Sequence, residues 1–393
     1  MPPHPVPLSL YVHVPWCVKK CPYCDFNSHA HDGALPVEDY VRALLADLGR
    51  DLAAHADAID GRAIHSVFFG GGTPSLFAPD AIARILEGVA ARLPLPRDAE
   101  VTLETNPGTV EHGRFDGYLA AGVNRISFGV QSFDDDQLRR LGRIHSAAEA
   151  EAAIRSAREA GVDNINLDLM YALPAQAPAG ALADVERAIA LQPAHISHYQ
   201  LTLEPNTLFA AKPPPLPDED SAWDMQEACQ AALAAAGYAQ YEVSAYARAG
   251  RACAHNLNYW RYGDYLGIGA GAHGKLGGAD ARRIVRTTKV KLPRSYLERA
   301  ARGEAFGSVA EVAAEDRPFE FMMNALRLRE GVDAASFAAR TGLALDVVAD
   351  VARRARARGW LVDDAMRIAT TDLGWRYLND VVAAFLPDAR GAG

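Results

Sequence analysis

Three cysteines, Cys17, Cys21 and Cys24, stand within eight residues of one another near the start of the chain. A disulfide needs two thiols and a structural zinc site usually needs four protein ligands, so three clustered thiols suit neither well. Thiolates are the usual ligands of iron–sulfur clusters, and a four-iron cubane held by three of them keeps one iron available for an exchangeable ligand. The spacing predicts a [4Fe–4S] cluster on these cysteines. Two alternatives are buried thiols without metal and a zinc site completed by a neighbouring histidine, namely His13, His29 or His31.

A glycine-rich turn, Gly70-Gly71-Gly72-Thr73, directly follows the predicted strand Ile64–Phe69. Glycines let backbone N–H and C=O groups approach a ligand closely. The turn therefore favours a ligand contact beside the cysteines. The alternative is a tight strand–helix connection capped by Thr73 before Pro74.

Polar side chains also fall at or near the ends of other predicted strands: Glu104, Gln131 and Asp168, with Arg143 a little downstream of the fourth strand. A carboxylate can accept hydrogen bonds from an ammonium group or ribose hydroxyls. The planar guanidinium of Arg143 suits a carboxylate ligand. Taken singly, each could equally be a solvated strand end or an internal ion pair.

The elements that must position these groups alternate between short apolar strands and amphipathic helical runs up to about Leu201. Such alternation predicts parallel βαβ units. Six units fall short of a complete eight-unit barrel, so we expect an α/β fold with a partial (β/α)6 TIM-like barrel and functional residues at the C-terminal strand ends. The predicted strands are Leu8–Val14, Ile64–Phe69, Val101–Glu104, Arg125–Val130, Ile165–Met170 and Ile196–Leu201.

Three regions are predicted along the chain: a barrel core over 1–205, an extension over 206–292 and a mainly helical domain over 293–393. In the extension we expect a helix at Asp218–Ala236, a strand at Tyr241–Tyr246, and a loop over the open barrel mouth at Gly263–Gly274. The last region has a winged-helix-like outline. Its predicted elements are helices at Ala334–Thr341 and Ala344–Arg358 and a hairpin at Leu361–Ala369.

Composition limits the partners. The net charge of −9 and pI near 5.7 argue against nucleic acid or an anionic membrane as the main partner, although several arginines cluster within Ala344–Arg358. The chain has no apolar run long enough to span a bilayer, its first residues lack the pattern of a signal peptide, and five cysteines do not form a disulfide framework. These features predict a cytoplasmic protein without a membrane segment.

The cysteine motif after an opening strand resembles the radical S-adenosylmethionine (SAM) superfamily, in which the amino and carboxylate groups of SAM chelate the open iron. YVHVPWCVKKCPYCDFNSH, FFGGGTPS, LETNPG, RISFGVQSF, LRRLGRIHS and INLDLMYALPAQ resemble motifs of the group that contains anaerobic coproporphyrinogen dehydrogenase (HemN) and the heme chaperone HemW. The resemblance covers Tyr11 to about Gln176, and the tail fits that group's C-terminal domain less specifically. It implies SAM contacts at Tyr11, Tyr23, Gly71, Gly72, Thr73, Glu104, Gln131, Arg143 and Asp168.

One stretch departs from the group's pattern. Where its members usually carry glycine in YGLPGQ, this chain has Ala172 and Ala175. If either position requires a positive φ, alanine would strain the loop.

Two features resemble the heme-chaperone branch. Phe26 stands where the dehydrogenase has a fourth cysteine, and His255-Asn256-Leu257-Asn258-Tyr259-Trp260 matches the HNxxYW motif of that branch. The resemblance implies heme as cargo, acceptor hemoproteins, an electron donor such as flavodoxin or ferredoxin, and peripheral contact with membrane hemoproteins. An imidazole is a common axial ligand of heme iron, so His255 is a candidate ligand; alternatively the motif anchors a loop through His255 and the backbone.

Three other functions remain open from the sequence. The first is oxygen-independent coproporphyrinogen III dehydrogenase, which shares nearly all the SAM motifs. The others are a radical SAM methyltransferase or related tailoring enzyme, and a DNA-binding regulator that uses the cluster as a sensor.

Overall fold

The computed structural model describes residues 6–31, 33–59, 61–108, 114–278 and 281–387. A single large sheet of twelve strands dominates these ranges. The strands are β1 Leu8–Val14, β2 Trp16–Cys17, β3 His29–Ala30, β4 Ile64–Gly71, β5 Glu100–Thr105, β6 Arg125–Gln131, β7 Ile165–Tyr171, β8 His195–Gln200, β9 Ala239–Glu242, β10 Ala245–Ala247, β11 Asp264–Ile268, β12 His273–Leu276, β13 Val285–Lys289, β14 Gly307–Glu311, β15 Val332–Asp333 and β16 Arg367–Ile368.

Helices connect the strands, and the longer ones carry an apolar stripe that packs on the sheet. The sequence sets several of their starts; for example, the helix that begins at Ala147 is capped by Ser146 and Glu149 in a reciprocal capping box. The helices are α1 Val37–Ala54, α2 Ala56–Ile59, α3 Pro79–Ala90, α4 Phe115–Ala120, α5 Asp135–Arg140, α6 Ala147–Glu159, α7 Pro178–Ala190, α8 Leu208–Ala211, α9 Glu219–Ala235, α10 Ala254–Trp260, α11 Pro293–Arg302, α12 Arg317–Ala325, α13 Ala335–Thr341, α14 Ala349–Ala357, α15 Asp372–Arg376 and α16 Leu378–Ala383.

The six predicted barrel strands are confirmed as neighbouring parallel strands, in the order β1-β4-β5-β6-β7-β8. A seventh, β11, runs parallel to β1 on its other side. The predicted loop over the barrel mouth at Gly263–Gly274 is therefore wrong, because most of it forms β11 and the start of β12. All five residues of β11 are buried, and their pairing with β1 joins segments about 250 residues apart.

Antiparallel strands extend the sheet at both ends. β12, β13 and β14 follow β11, and β10 and β9 follow β8. The single strand predicted at Tyr241–Tyr246 is wrong in detail, since β9 and β10 form an antiparallel pair there. On the other side, Lys289 of β13 donates to Asp47 and Asp51 of α1 at 2.6 Å each, which ties the extension to the barrel.

The two faces of the sheet differ in character. Along β1 the residues Leu8, Leu10, Val12 and Val14 belong to the apolar core, whereas Ser9 bonds across the opposite face to Ser66 of β4 at 2.8 Å. This inner face carries polar side chains on the later strands as well. A polar interior at the C-terminal strand ends is suited to a ligand rather than to a packed core.

The C-terminal region has an apolar core of its own, which includes Phe321, Phe337 and Val381. The winged-helix-like outline is present as α13, a 3₁₀ turn at Leu345–Val348, α14 and a bridge between Leu361 and Thr370. The predicted helix Ala344–Arg358 thus begins as a 3₁₀ turn. The three-region division along the chain stays a prediction. Within the described ranges, no helix combines the length and apolar character needed to cross a bilayer.

Candidate functional site

The three cysteines lie on one loop that follows the first barrel strand. Cys17 ends β2, and the loop folds back so that His31 N donates to Cys17 O at 3.0 Å and Cys24 N donates to Cys21 O at 3.2 Å. Burial raises the pKa of the Cys17 thiol, and the neighbouring Cys24 and Cys21 raise it further. The thiols are therefore close enough to interact electrostatically.

The donor set fits a cubane better than a single ion. Among the described residues, no group of three or more His, Cys, Asp or Glu side chains is arranged to hold one metal ion. Three thiols around a shared space suit a [4Fe–4S] cluster, because each thiolate binds a different iron atom. The residues present thus fit the cluster that the spacing predicts.

Arg143 reaches into the site from the segment after α5. Its guanidinium donates to Gly129 O at 2.6 Å, to Asn106 Oδ1 at 2.5 Å and to Cys21 Sγ at 3.7 Å. Asn106 in turn donates to Thr73 Oγ1 at 2.7 Å, and Thr73 donates to Cys17 Sγ at 3.5 Å. A chain of polar contacts therefore links two of the cysteines through Asn106. Sequence reasoning did not single out this asparagine, although it lies within the quoted stretch LETNPG.

Glycine is required in the turn after β4 because a side chain would clash there and, at Gly71, because φ is positive. Gly71 has φ of 112°, and a Cβ there would lie 2.5 Å from a ring atom of His13. A Cβ on Gly72 would lie 2.4 Å from Trp16 O. The Thr73 side chain does not cap the turn that follows it. Its hydroxyl instead donates to Cys17 Sγ in the cysteine loop.

Two carboxyl groups lie on the inner face beside the glycine turn. Glu104 accepts a hydrogen bond from Gly71 N at 3.3 Å, and burial, with a smaller contribution from Asp168, raises its pKa to about 8. Asp168 accepts from Ser127 Oγ at 3.2 Å and from Asn166 Nδ2 at 2.8 Å, and burial raises its pKa despite these bonds. Partly buried carboxyls of this kind favour a cationic or hydroxyl-bearing ligand.

Gln131 ends β6 in a strained conformation. Its φ is 71°, which is uncommon for a residue with a side chain, and its amide Oε1 accepts a hydrogen bond from the Tyr199 hydroxyl at 2.8 Å. Tyr199 lies in β8 and lines the same space. Its position two residues before the end of a predicted strand was a usable signal, but sequence reasoning missed it.

These groups surround a cavity of about 300 Å³. The structure brings together most of the predicted residues: Cys17, Cys21, Cys24, Tyr23, Gly71, Gly72, Glu104, Gln131, Arg143 and Asp168 all line it. Thr73 lies behind Cys17, and Tyr11 faces an adjoining cavity. Their individual contacts with SAM stay predictions.

The two alanines that replace glycine both adopt the left-handed conformation. Ala172 and Ala175 each have φ of 55°, and the loop closes through a hydrogen bond from Ala175 N to Pro215 O at 2.9 Å. The loop shape is thus compatible with alanine but strained.

We therefore expect Ala172→Gly and Ala175→Gly to stabilise the protein. The left-handed conformation costs a non-glycine residue roughly 1–2 kcal/mol, and glycine loses about 0.4–1 kcal/mol through the freedom of the unfolded chain. The expected net gain is about 0.5–1 kcal/mol per site in the free energy of unfolding, measured by urea titration. Ala91→Gly is the matched control, since Ala91 is exposed, has φ of −71° and should gain nothing. Equal effects at all three positions would contradict the strain argument.

His255 lies away from the cysteines, at the start of α10. Its Nδ1 shares a hydrogen bond of 2.9 Å with Ser66 Oγ, its backbone N–H donates to Glu100 at 3.0 Å, and the residue is 2% exposed. The rings of Phe68 and Tyr259 each lie 5.0 Å from its ring centroid, and Nε2 has no hydrogen-bond partner among the described residues. Because Nε2 is itself buried, heme iron could reach it only after neighbouring groups move. His255 as a heme ligand stays a prediction.

Comparisons with known proteins give the class to which the chain belongs. Residues 11–184 match the radical SAM superfamily, and residues 312–377 match the HemN C-terminal domain. The chain superposes on the coproporphyrinogen III oxidase HemN from Escherichia coli, a radical SAM enzyme, with a TM-score of 0.81 at 25% identity, over 97% of this chain and 90% of that one. The class of protein is thus a radical SAM protein with a HemN-type C-terminal domain, which implies a [4Fe–4S] cluster and SAM.

Sequence similarity to individual proteins identifies the family within this class. The chain is 52% identical to the heme chaperone HemW of Escherichia coli (strain K12) over 97% of this chain and 99% of that protein. It is 50% identical to HemW of Haemophilus influenzae over 97% and 98%. The chain belongs to the heme chaperone HemW family.

Proposed function

We propose that this protein binds heme and transfers it to acceptor hemoproteins. The observation that carries the proposal is the near full-length similarity to proteins named heme chaperones. The structure adds a second cavity of about 610 Å³ that adjoins the cysteine loop. Ligand pockets are typically about 300–1,000 Å³, so this cavity has room for a tetrapyrrole.

The cysteines would hold the cluster, and the glycine turn, Glu104 and Arg143 would orient SAM against it. An electron delivered to such a cluster allows reductive cleavage of SAM to methionine and a 5′-deoxyadenosyl radical. The protein's own residues would place the carboxyls of Glu104 and Asp168 and the guanidinium of Arg143 around the SAM position. These groups lie in the cavity wall already described.

The same proposal includes an electron donor, a cellular compartment and a class of acceptor. A small redox protein such as flavodoxin or ferredoxin would deliver the electron, and heme transfer would take place in the cytoplasm. Acceptors would include membrane hemoproteins reached by peripheral contact.

The second candidate is a coproporphyrinogen dehydrogenase, which the similarity to the HemN structure favours. Both activities need a radical SAM site and a porphyrin-sized cavity. The discriminating position is residue 26. Phe26 is 61% exposed at the edge of both cavities. The coproporphyrinogen dehydrogenase motif has a fourth cysteine at this position.

Two parallel measurements on anaerobically reconstituted protein test the choice. In a heme titration we expect a Soret change that saturates near one heme per chain. With SAM, reductant and coproporphyrinogen we expect no protoporphyrinogen, either from the wild type or from Phe26→Cys. Protoporphyrinogen formation at ordinary turnover would overturn the chaperone proposal in favour of the dehydrogenase, and a titration without a Soret change would contradict heme binding.

A further inference from the structure

The second cavity lies at the barrel mouth, between the cysteine loop and the turn that joins β11 to β12. We propose that it is the heme pocket and that His273, the first residue of β12, is the axial ligand of the iron. This inference rests on the proposed function, since it takes heme as the cargo. It differs from the prediction for His255, which is enclosed behind the cavity wall.

Three histidines line this cavity, and their hydrogen bonds distinguish them. His13 uses both ring nitrogens, with Tyr11 Oη at 3.0 Å and Asn27 O at 2.9 Å. His29 shares Nε2 with Asn27 Oδ1 at 3.3 Å, and its ring also bonds to the backbone of Lys291. An imidazole engaged in this way must break a bond before it can coordinate iron.

His273 is the exception. Its side chain is exposed, and its ring makes no hydrogen bond with the described residues. Partial burial lowers its pKa, and the positive charges of Lys291 and Arg286 lower it further, which favours the neutral imidazole. A neutral imidazole with a free lone pair is what heme iron requires.

Aromatic side chains supply the faces for a porphyrin. Tyr259 and Tyr265 lie side by side in the wall, with ring centroids 4.2 Å apart. Phe26 lines the side formed by the cysteine loop and is largely exposed. An exposed aromatic ring such as Phe26 at a cavity edge is suited to stacking on a flat apolar ligand, and the more enclosed Tyr259 and Tyr265 give the opposite wall an aromatic lining.

Two lysines suit the propionate groups of heme. Lys20 donates to Phe26 O and Ser28 O at 3.1 Å each, which leaves one of its three N–H donors for a ligand. Lys291 is positioned through its backbone, because Asn27 Nδ2 donates to Lys291 O at 2.8 Å. Asp25 and Glu104 are the acidic residues of the wall, so the cavity offers charges of both signs.

The cavity also borders the cluster site. Cys24, Gly71 and Glu104 line both cavities, and Asn27 donates to Ala270 O at 2.9 Å, which joins the cysteine loop to the β11–β12 turn. Cargo in this pocket would therefore lie against the predicted SAM position.

The first test is a heme titration of His273→Ala in the full-length reconstituted protein. We expect heme affinity to fall at least about tenfold, with a Soret band and EPR spectrum that no longer show imidazole ligation, and recovery of that spectrum when free imidazole is added. His255→Phe, which retains ring packing, and His65→Ala, an exposed histidine of β4, should keep the wild-type ligand spectrum. Circular dichroism confirms that each variant is folded.

The second test concerns the propionates. Wild-type protein should bind heme about tenfold more tightly than heme dimethyl ester, and Lys291→Met should reduce that preference. A wild-type ligand spectrum in His273→Ala, or its loss in folded His255→Phe alone, overturns this assignment and leaves the proposed function intact. A wild-type protein that binds no heme contradicts the proposed function itself.

Discussion

Replacing Cys17, Cys21 or Cys24 singly with alanine is expected to remove nearly all iron and sulfide from the anaerobically reconstituted protein. A cubane on three thiolates has no spare protein ligand, so loss of one thiolate leaves a second iron without a protein ligand. Iron and sulfide analysis, together with EPR of the reduced protein, measures the effect. Tight SAM binding should disappear with the cluster, because the open iron is the predicted anchor of the SAM amino and carboxylate groups.

The remaining cysteines are the matched controls. Cys229 lies on the buried face of α9, and Cys253 lies beside Glu100 with its thiol 3.4 Å from the carboxylate. Alanine at either position should leave the iron content unchanged. A full complement of iron in the triple variant of the motif cysteines would refute the assignment.

Glu104→Gln is expected to stabilise the protein without ligands at alkaline pH and to weaken SAM binding. The pKa of Glu104 is raised to about 8 from an ordinary value of 4.5. Below pH 4.5 the carboxyl is neutral in both the folded and unfolded states. As pH rises from there through 8, the unfolded chain releases the proton more readily than the folded protein, so the stability of the wild type falls.

Glutamine carries no such proton, so the difference in free energy of unfolding between variant and wild type should grow over that pH window. At about 1.4 kcal/mol per pKa unit it should approach roughly 5 kcal/mol above pH 8. Urea titrations from pH 5 to 9 measure it. Glu38→Gln is a surface control, since Arg84 lowers the pKa of Glu38 and the window there lies at acid pH. If the difference in free energy of unfolding stayed constant from pH 5 to 9, burial would not be what raises the pKa of Glu104.

SAM affinity supplies the second measurement on the same variant. Loss of the carboxylate removes a charge-assisted contact with the ligand's ammonium or ribose hydroxyls, which is worth about 1.5–3 kcal/mol, or about tenfold to a hundredfold in Kd. A variant that is both more stable at pH 8 and unchanged in SAM affinity would leave Glu104 as a structural residue only.

Much of the site was predictable because its signals are local. Cys17, Cys21 and Cys24 are close in sequence, so their spacing alone indicates the cluster loop. Glu104 and Asp168 lie on strands recognisable from their apolar patterns. In a parallel sheet such strand ends meet at one edge, and the structure places both carboxyls there.

Other features were invisible because they depend on contacts between distant segments. β11 became a strand through its pairing with β1, whereas the glycine-rich segment Gly263–Gly274 that contains it predicted a loop. Asn106 acquires its role from Arg143 and Thr73, which are 37 and 33 residues away. No short pattern marks an asparagine for that position.

The sequence by itself determined the class of chemistry, the family and the alternation of strands and helices, since each depends on spacing within a short stretch of chain. Only the tertiary structure decided which histidine combines a place in the open cavity with a ring that makes no hydrogen bond to the described residues. His255, in a recognisable motif, is enclosed by Phe68 and Tyr259, while His273, which the sequence left open as either loop or pocket, is exposed beside the cysteine loop. The reason is physical: the exposure of a side chain is set by whatever packs against it, and most of those neighbours are remote in sequence.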